Sequence, residues 1–135
     1  MIVDTGPLVA LLNRAEQAHG WVVQCLADLQ PPLISCEAVL AESTYLTRQI
    51  PGARVALLEM VGEGFLQMGL SVADQHAALL TMVRRYADVP MSLADACLVR
   101  LAELHPHSPV LTLDRDFGVY RKNSRQVIEV MSPWA

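Results

Sequence analysis

The chain has 135 residues, of which 53% are hydrophobic, 18% charged and 5% aromatic, and its formal net charge is −4. These values exclude a disordered chain and indicate one domain, spanning residues 1–135, with a largely aliphatic core. They also argue against a protein that holds nucleic acid by bulk positive charge alone, although a local basic patch is compatible with them.

The three cysteines, Cys25, Cys36 and Cys97, are odd in number and widely spaced in apolar surroundings. This pattern favours buried free thiols in a reducing cytosol. The amino terminus lacks the basic region of a signal peptide, and the apolar stretches fall far short of the roughly 20 residues that a membrane helix needs. We therefore expect a cytoplasmic protein that does not enter a membrane.

The chain opens with an apolar run that leads directly into the sequence DTGP at residues 4–7. This pattern predicts a short buried strand at 2–4, a tight turn, and a helix from 7 to about 14. Apolar stripes at helical spacing follow, and proline pairs or Pro-Gly interrupt them. The remaining elements predicted up to residue 70 are helices at 16–29, 36–49 and 54–62, and strands at 33–35 and 65–70.

The second half of the chain repeats this alternation of helices and strands. The predicted elements are helices at 72–85 and 92–104, strands at 110–113 and 126–130, a loop or single helical turn at 114–118, and a loose tail at 132–135. Because strands alternate with helices, the sequence predicts an α/β fold with a mostly parallel sheet.

Four acidic residues stand out by their positions. Asp4 and Asp114 each end a predicted strand, Glu42 lies within a largely apolar helix, and Asp95 lies in the first turn of another helix. Binding sites in open α/β sheets form at the carboxyl ends of the strands. If the two strands are neighbours, Asp4 and Asp114 meet at one edge of the sheet, and the two helix-borne acids close the ring.

Clustered carboxylates repel one another and raise one another's pKa, and a bound cation removes that penalty. Several hard oxygen ligands suit Mg²⁺ or Mn²⁺, which also bind substrate phosphates. Such an ion lowers the pKa of a bound water and stabilises charge on a phosphoryl oxygen. An all-acid site without histidine therefore indicates phosphodiester hydrolysis or phosphoryl transfer.

Each acid also has a structural explanation. Asp4 can cap the first helix, Ser92 and Asp95 resemble a capping box, and Asp114 can be a turn residue. Glu42 is harder to explain in this way, because a largely apolar helix face must pair or solvate its charge. Taken singly, each acid is better explained by structure, and the set of four favours a site.

The order and spacing of four motifs resemble those of the PIN-domain family, and within it the VapC-type toxins of bacterial type II toxin–antitoxin pairs. The matching segments are IVDTG at 2–6, AESTYL at 41–46, SLADA at 92–96 and LTLDRDF at 111–117. They extend over nearly the whole chain.

This resemblance implies a five-stranded parallel sheet flanked by helices and a Mg²⁺- or Mn²⁺-dependent endoribonuclease. It implies a water that attacks phosphorus in line and leaves a 5′-phosphate and a 3′-hydroxyl. The residues that match the family's acidic quartet are Asp4, Glu42, Asp95 and Asp114, with Asp4, Asp95, Asp114 and a candidate fifth acid, Asp116, at the metal. Thr5, Ser92 and Thr112 are candidate hydroxyls that orient ligands or contact substrate.

Basic residues gather late in the chain, at Arg100, Arg115, Arg121, Lys122 and Arg125, and Lys122 is the single lysine. The members of this predicted RNA-binding patch are Arg115, Arg121, Lys122 and Arg125. They would flank the acidic pocket and hold the RNA backbone. The alternative is that each is an ordinary solvated surface charge.

The resemblance further implies an RNA substrate, a small antitoxin partner and a homodimer. Wide apolar helix faces within 7–30 and 36–62 are compatible with a groove or dimer surface, and equally with core packing. Two other functions stay open: a non-toxic or catalytically idle PIN module for RNA processing or binding, and an acidic-pocket phosphohydrolase or phosphoacceptor that uses Asp4 as nucleophile.

Overall fold

Five short strands form one sheet in which every neighbouring pair is parallel, and their order across the sheet is Leu66–Met68, Leu33–Ser35, Ile2–Val3, Val110–Leu111 and Val130–Met131. The computed structural model describes residues 1–134. The strands of this sheet are β1 (Ile2–Val3), β2 (Leu33–Ser35), β3 (Leu66–Met68), β4 (Val110–Leu111) and β7 (Val130–Met131). The predicted α/β class and parallel sheet are confirmed.

Six helices connect these strands. They are α1 (Thr5–Leu12), α2 (His19–Ala27), α3 (Glu37–Leu46), α4 (Ala53–Gly62), α5 (Val72–Arg85) and α6 (Leu93–Leu104). Helix α6 is the most buried, because it packs against α5, α3 and β1 at once. Among residues 1–134, no helix is both long and apolar enough to cross a membrane.

The core is mainly aliphatic, as predicted, and the buried rings of Phe117 and Tyr120 complete it. Cys36 and Cys97 are buried in this core, whereas Cys25 is only partly buried. All three thiols are free, which agrees with the prediction.

The first two helices begin at positions that differ from the prediction. Helix α1 begins at Thr5 with Asp4 as its N-cap, so Pro7 lies inside the first turn, where its missing N–H is not needed. Helix α2 begins only at His19, because residues 13–18 form turns in which Asn13 Oδ1 accepts a hydrogen bond from the Ala15 N–H. The prediction of a helix over 16–29 was therefore too long at both ends.

The prediction of a single last strand at 126–130 was wrong. Strand β6 (Gln126–Val127) pairs antiparallel with β5 (Arg121–Lys122) in a separate hairpin, and only Val130–Met131 joins the main sheet. Asn123 and Ser124 make the hairpin turn with φ values of 49° and 70°. Of the tail predicted at 132–135, Ser132 is buried, and Ala135 lies outside the described residues.

Candidate active site

The first and fourth strands lie side by side and end at the same edge of the sheet. Val3 pairs with Leu111, and the Asp4 N–H donates to the Leu111 carbonyl at 3.0 Å. Asp4 and Thr112 therefore follow directly after neighbouring strands, and the Thr112 hydroxyl donates to Asp4 Oδ2 at 2.7 Å. This pairing brings residues that are 108 positions apart in the chain into contact.

An open cavity of about 750 Å³ lies at this edge, and all four members of the predicted acidic quartet line it. The lining residues are Asp4, Thr5, Gly6, Glu42, Ser92, Asp95, Leu113, Asp114, Arg115 and Trp134. The structure thus brings the four acids together, as the sequence predicted. The strand predicted at 110–113 ends earlier, at Leu111, so Asp114 lies in the loop beyond the strand and not directly at its end.

Asp4 is the most buried of these acids, with 6% of its surface exposed. Its Oδ1 accepts the Thr5 N–H at 2.7 Å, and Thr112 occupies its Oδ2. The pKa of Asp4 is raised from 3.8 to about 6, mainly because burial disfavours the charged form. The hydrogen bonds from Thr112 and Thr5 lower this pKa, and the charges of Asp95 and Asp114 raise it, so both acids act on Asp4 across the cavity.

Asp95 combines a structural role with a position at the cavity. It forms a reciprocal capping box with Ser92, in which the Ser92 N–H donates to Asp95 Oδ2 at 3.1 Å and the Asp95 N–H donates to the Ser92 hydroxyl at 3.0 Å. The buried Tyr120 hydroxyl also donates to Oδ2, at 3.1 Å. The Ser92 N–H and the Tyr120 hydroxyl both donate to Oδ2 and so fix the rotation of the carboxylate. The cap does not use Oδ1. Capping and a site role are therefore compatible.

Glu42 and Asp114 complete the ring from opposite sides. Glu42 is exposed on α3, and its Oε2 accepts the Thr5 hydroxyl at 2.9 Å, so the charge is both solvated and paired. Asp114 caps a 3-10 turn at Arg115–Gly118, since its Oδ1 accepts the Asp116 N–H at 2.9 Å. Asp116 itself is not among the residues that line the cavity.

The cavity suits a cation that keeps part of its water shell. Within residues 1–134, no three side chains of His, Cys, Asp or Glu stand close enough together to bind one ion directly. Mg²⁺ commonly takes only one or two carboxylates directly and retains several waters. An all-oxygen set of donors around an open cavity fits such an ion chemically.

The predicted RNA-binding residues fall into two groups. Arg115 lines the cavity, whereas the other three residues do not. Arg121 Nη1 donates to the carbonyls of Gly118, Val119 and Tyr120, and Lys122 Nζ donates to the Pro106 carbonyl beyond the far end of α6. Arg125 is exposed near the turn of the hairpin.

Two aromatic residues at the site were not identified from the sequence. Tyr120 holds Asp95, and Trp134 lines the cavity with its ring centroid 5.1 Å from the Arg115 guanidinium carbon. A tryptophan shortly after the last strand was a signal that could have drawn attention to Trp134. Tyr120 carried no comparable signal, because its contact depends on how residues 115–120 pack against α6.

Comparisons with known proteins agree on one family. A profile of the PIN domain matches residues 1–123. Ribonuclease VapC26 of Mycobacterium tuberculosis is 32% identical over 117 residues, which cover 85% of this chain and 87% of that protein. The crystal structure of Mycobacterium tuberculosis VapC20, described as a toxin that cleaves the sarcin-ricin loop, matches with a TM-score of 0.77 at 22% identity. The match covers 87% of this chain and 92% of the VapC20 chain, and it shows that the two chains share a fold.

Proposed function

Because the chain belongs to the PIN-domain family, we propose that it is a VapC-type ribonuclease that hydrolyses RNA phosphodiester bonds with the help of a divalent cation. The observation that carries the proposal is the ring of four acids around one open cavity at the ends of β1 and β4. The relation to Ribonuclease VapC26 supports RNA as the substrate.

We assign the cation to Asp4, Asp95 and Asp114, through direct and water-mediated contacts. Mg²⁺ or Mn²⁺ bound there would lower the pKa of a water and stabilise negative charge on the phosphate. Thr5, Ser92 and Thr112 hold three of the acids in place through hydrogen bonds of 2.7 to 3.1 Å. Asp116 does not line the cavity, so its role in this assignment is to form the 3-10 turn behind Asp114.

Glu42 is suited to a different task. It is exposed to solvent at the cavity. Its Oε2 accepts a hydrogen bond from the Thr5 hydroxyl, and its Oε1 accepts none within residues 1–134. We propose that Oε1 accepts a proton from the water that attacks phosphorus. The products expected from in-line attack by this water are a 5′-phosphate and a 3′-hydroxyl.

The test is cleavage of a mixed cellular RNA pool with Mg²⁺, Mn²⁺ or EDTA, comparing wild type with Asp95→Asn. Asparagine keeps the shape of the side chain and most of the capping capacity, but it lacks the charge. Asp74→Asn is a matched control, because Asp74 occupies the same helical position after the N-cap Ser71 of α5 and does not line the acidic cavity.

We expect wild type and Asp74→Asn to cleave RNA only with metal, and folded Asp95→Asn to lose activity by at least about a hundredfold, the size expected for a preorganised charge at the reacting centre. Equal cleavage by all three proteins would refute the assignment of Asp95. If none of them cleaves a pool that contains the full RNA complement of the cell, the idle PIN module becomes the better description. The absence of a preformed three-acid cluster within residues 1–134 favours that second candidate.

We further propose a small antitoxin and a second copy of the chain as protein partners, and a cytoplasmic site of action on RNA. Apolar surface outside the core supports the two protein partners. Val55 and Leu58 of α4 are 60% and 58% exposed, and Leu11, Leu26 and Met60 help to line a groove of about 240 Å³. Light scattering of the pure protein measures the oligomer, and a monomer at micromolar concentration would refute the homodimer.

A further inference from the structure

Two cavities lie on either side of one wall at the end of the sheet. The acidic cavity shares Asp114, Arg115 and Trp134 with a smaller cavity of about 290 Å³. An elongated ligand that is held in the acidic cavity can therefore extend past this wall into the second space.

The smaller cavity has a different chemical character from the acidic one. Gly118, Val130 and Trp134 contribute mainly apolar surface with Phe117 buried behind it, and Ser132 adds a hydroxyl. Apolar and aromatic walls with a polar group at the edge suit a flat ring with polar edges.

The wall between the cavities carries a stacked pair. The Arg115 guanidinium carbon lies 5.1 Å from the Trp134 ring centroid, within the range of a cation–π contact. Trp134 is 47% exposed, so much of its indole surface remains available. Among residues 1–134, Arg115 is the basic residue that lines the acidic cavity.

We propose that the smaller cavity binds an unpaired nucleobase of the RNA substrate, which stacks on Trp134 while Arg115 contacts the adjoining phosphate. This inference rests on the proposed ribonuclease function, because it places the base beside the phosphate held at the acids. Single-stranded RNA is commonly recognised by stacking of splayed bases on aromatic or arginine planes. Trp134 and Arg115 are then specificity-determining residues of the cleavage reaction.

The chain contains an internal control for this proposal. Arg48 lies 4.0 Å from the Tyr45 ring centroid on α3, so Tyr45 is also an exposed aromatic residue in a cation–π pair. Tyr45 is 62% exposed, and it does not line either of the two cavities. Tyr45→Ala therefore removes comparable surface aromatic area at a place where no base is expected.

The direct measurement is tryptophan fluorescence. The chain has two tryptophans, and Trp21→Phe leaves Trp134 as the single one. This variant, combined with Glu42→Gln, is titrated in Mg²⁺ with short, random-sequence, single-stranded RNA. All base contexts are then present, the cation is available to the phosphate, and loss of the proposed proton acceptor suppresses cleavage. We expect saturable quenching of Trp134 by the bases, and no quenching by an abasic strand of the same length.

The affinity measurement uses the fluorescence anisotropy of the same RNA carrying a fluorescent label, in Mg²⁺ and in the same Glu42→Gln background. Trp134→Ala is expected to weaken Kd roughly 5- to 150-fold, the equivalent of about 1–3 kcal/mol per stacked base. Trp134→Phe should lose less affinity than Trp134→Ala, and Tyr45→Ala should bind the RNA with the Kd of wild type. Arg115→Ala should lower the slope of log Kd against log salt by about one. Absence of quenching, or equal affinity of Trp134→Ala and Tyr45→Ala, would overturn the base subsite.

Cleavage assays in Mg²⁺ separate this proposal from the function on which it rests. If wild type cleaves RNA and Trp134→Ala cleaves the same positions at the same rate, the base subsite is refuted and the ribonuclease stands. If wild type cleaves and Trp134→Ala loses its preference at one position beside the cut, both are supported. If no protein cleaves RNA but Trp134 is quenched, the nuclease is refuted and the base subsite stands as part of an RNA-binding module.

Discussion

Replacing Asp4 by asparagine is expected to stabilise the metal-free protein at pH 8 while it abolishes cleavage. The side chain is 6% exposed, and its charged form loses hydration that two hydrogen bonds only partly replace. Asparagine has nearly the same shape and carries no charge. The substitution therefore removes the cost of a buried carboxylate without leaving a cavity.

The magnitude follows from the pKa of Asp4. An increase from 3.8 in the unfolded chain to about 6 in the folded chain corresponds to about 3 kcal/mol, at roughly 1.4 kcal/mol per pH unit. Because the folded pKa is the higher one, the folded state holds the proton more tightly. The associated stability is present below pH 3.8 and is lost as the pH rises through 6.

Urea unfolding in EDTA at pH 4.5 and pH 8 measures this difference. The free energy of unfolding of Asp4→Asn should exceed that of wild type by up to about 3 kcal/mol at pH 8, and this difference should shrink markedly at pH 4.5. Asp88→Asn, in the exposed turn before α6, is the control and should change stability little at either pH. A gain that does not depend on pH, or a loss of stability at pH 8, would refute the reasoning.

The remaining predictions concern metal, packing and hydrogen bonds. Millimolar Mg²⁺ at pH 8 should raise the Tm of wild type but not that of Asp4→Asn, because the ion binds only the folded, charged site. Gly69→Ala should lower stability by about 1–3 kcal/mol in urea unfolding, since its Cβ would lie 2.5 Å from Ile34 Cγ2. Ser43→Ala should raise stability by about 1 kcal/mol, because the buried hydroxyl has no partner within residues 1–134. Tyr120→Phe should slow cleavage about tenfold by freeing Asp95 to rotate.

The part of the site that the sequence predicts is the part that depends on strand ends and helix starts. An apolar run followed by Asp4, and a second run followed by Asp114, are sufficient to place two acids at one edge of a parallel sheet. The periodicity of α6 likewise places Asp95 in its first turn. These features are local in sequence, and the parallel topology then fixes how they meet.

The parts that could not be predicted depend on short strands that are not fully buried. Strands β1 and β4 also have two residues each but are buried, so they show in the sequence as apolar runs, whereas β5 and β7 are half-buried and β6 is exposed. The positions of Tyr120 and Trp134 follow from these elements and from the 3-10 turn before them. For the same reason, the basic residues lie close together in the sequence but not in the structure. The hairpin places Lys122 against Pro106, whereas Arg115 lies at the cavity.

The structural and catalytic explanations of the acids turn out to concern the same contacts. Asp4 caps α1, Asp95 completes the capping box of α6 with Ser92, and Asp114 caps the 3-10 turn. Each of these contacts holds a carboxylate that lines the cavity. Carboxylates held in this way need little reorganisation when a cation and a phosphate arrive, which is the condition for electrostatic catalysis. Burial of the Asp4 charge is the main cost of that arrangement in the metal-free protein, and the charges of Asp95 and Asp114 add to it, so the pKa of Asp4 is raised. Under the proposed function a bound cation would offset that cost, whereas capping alone gives no reason for four acids to line one cavity.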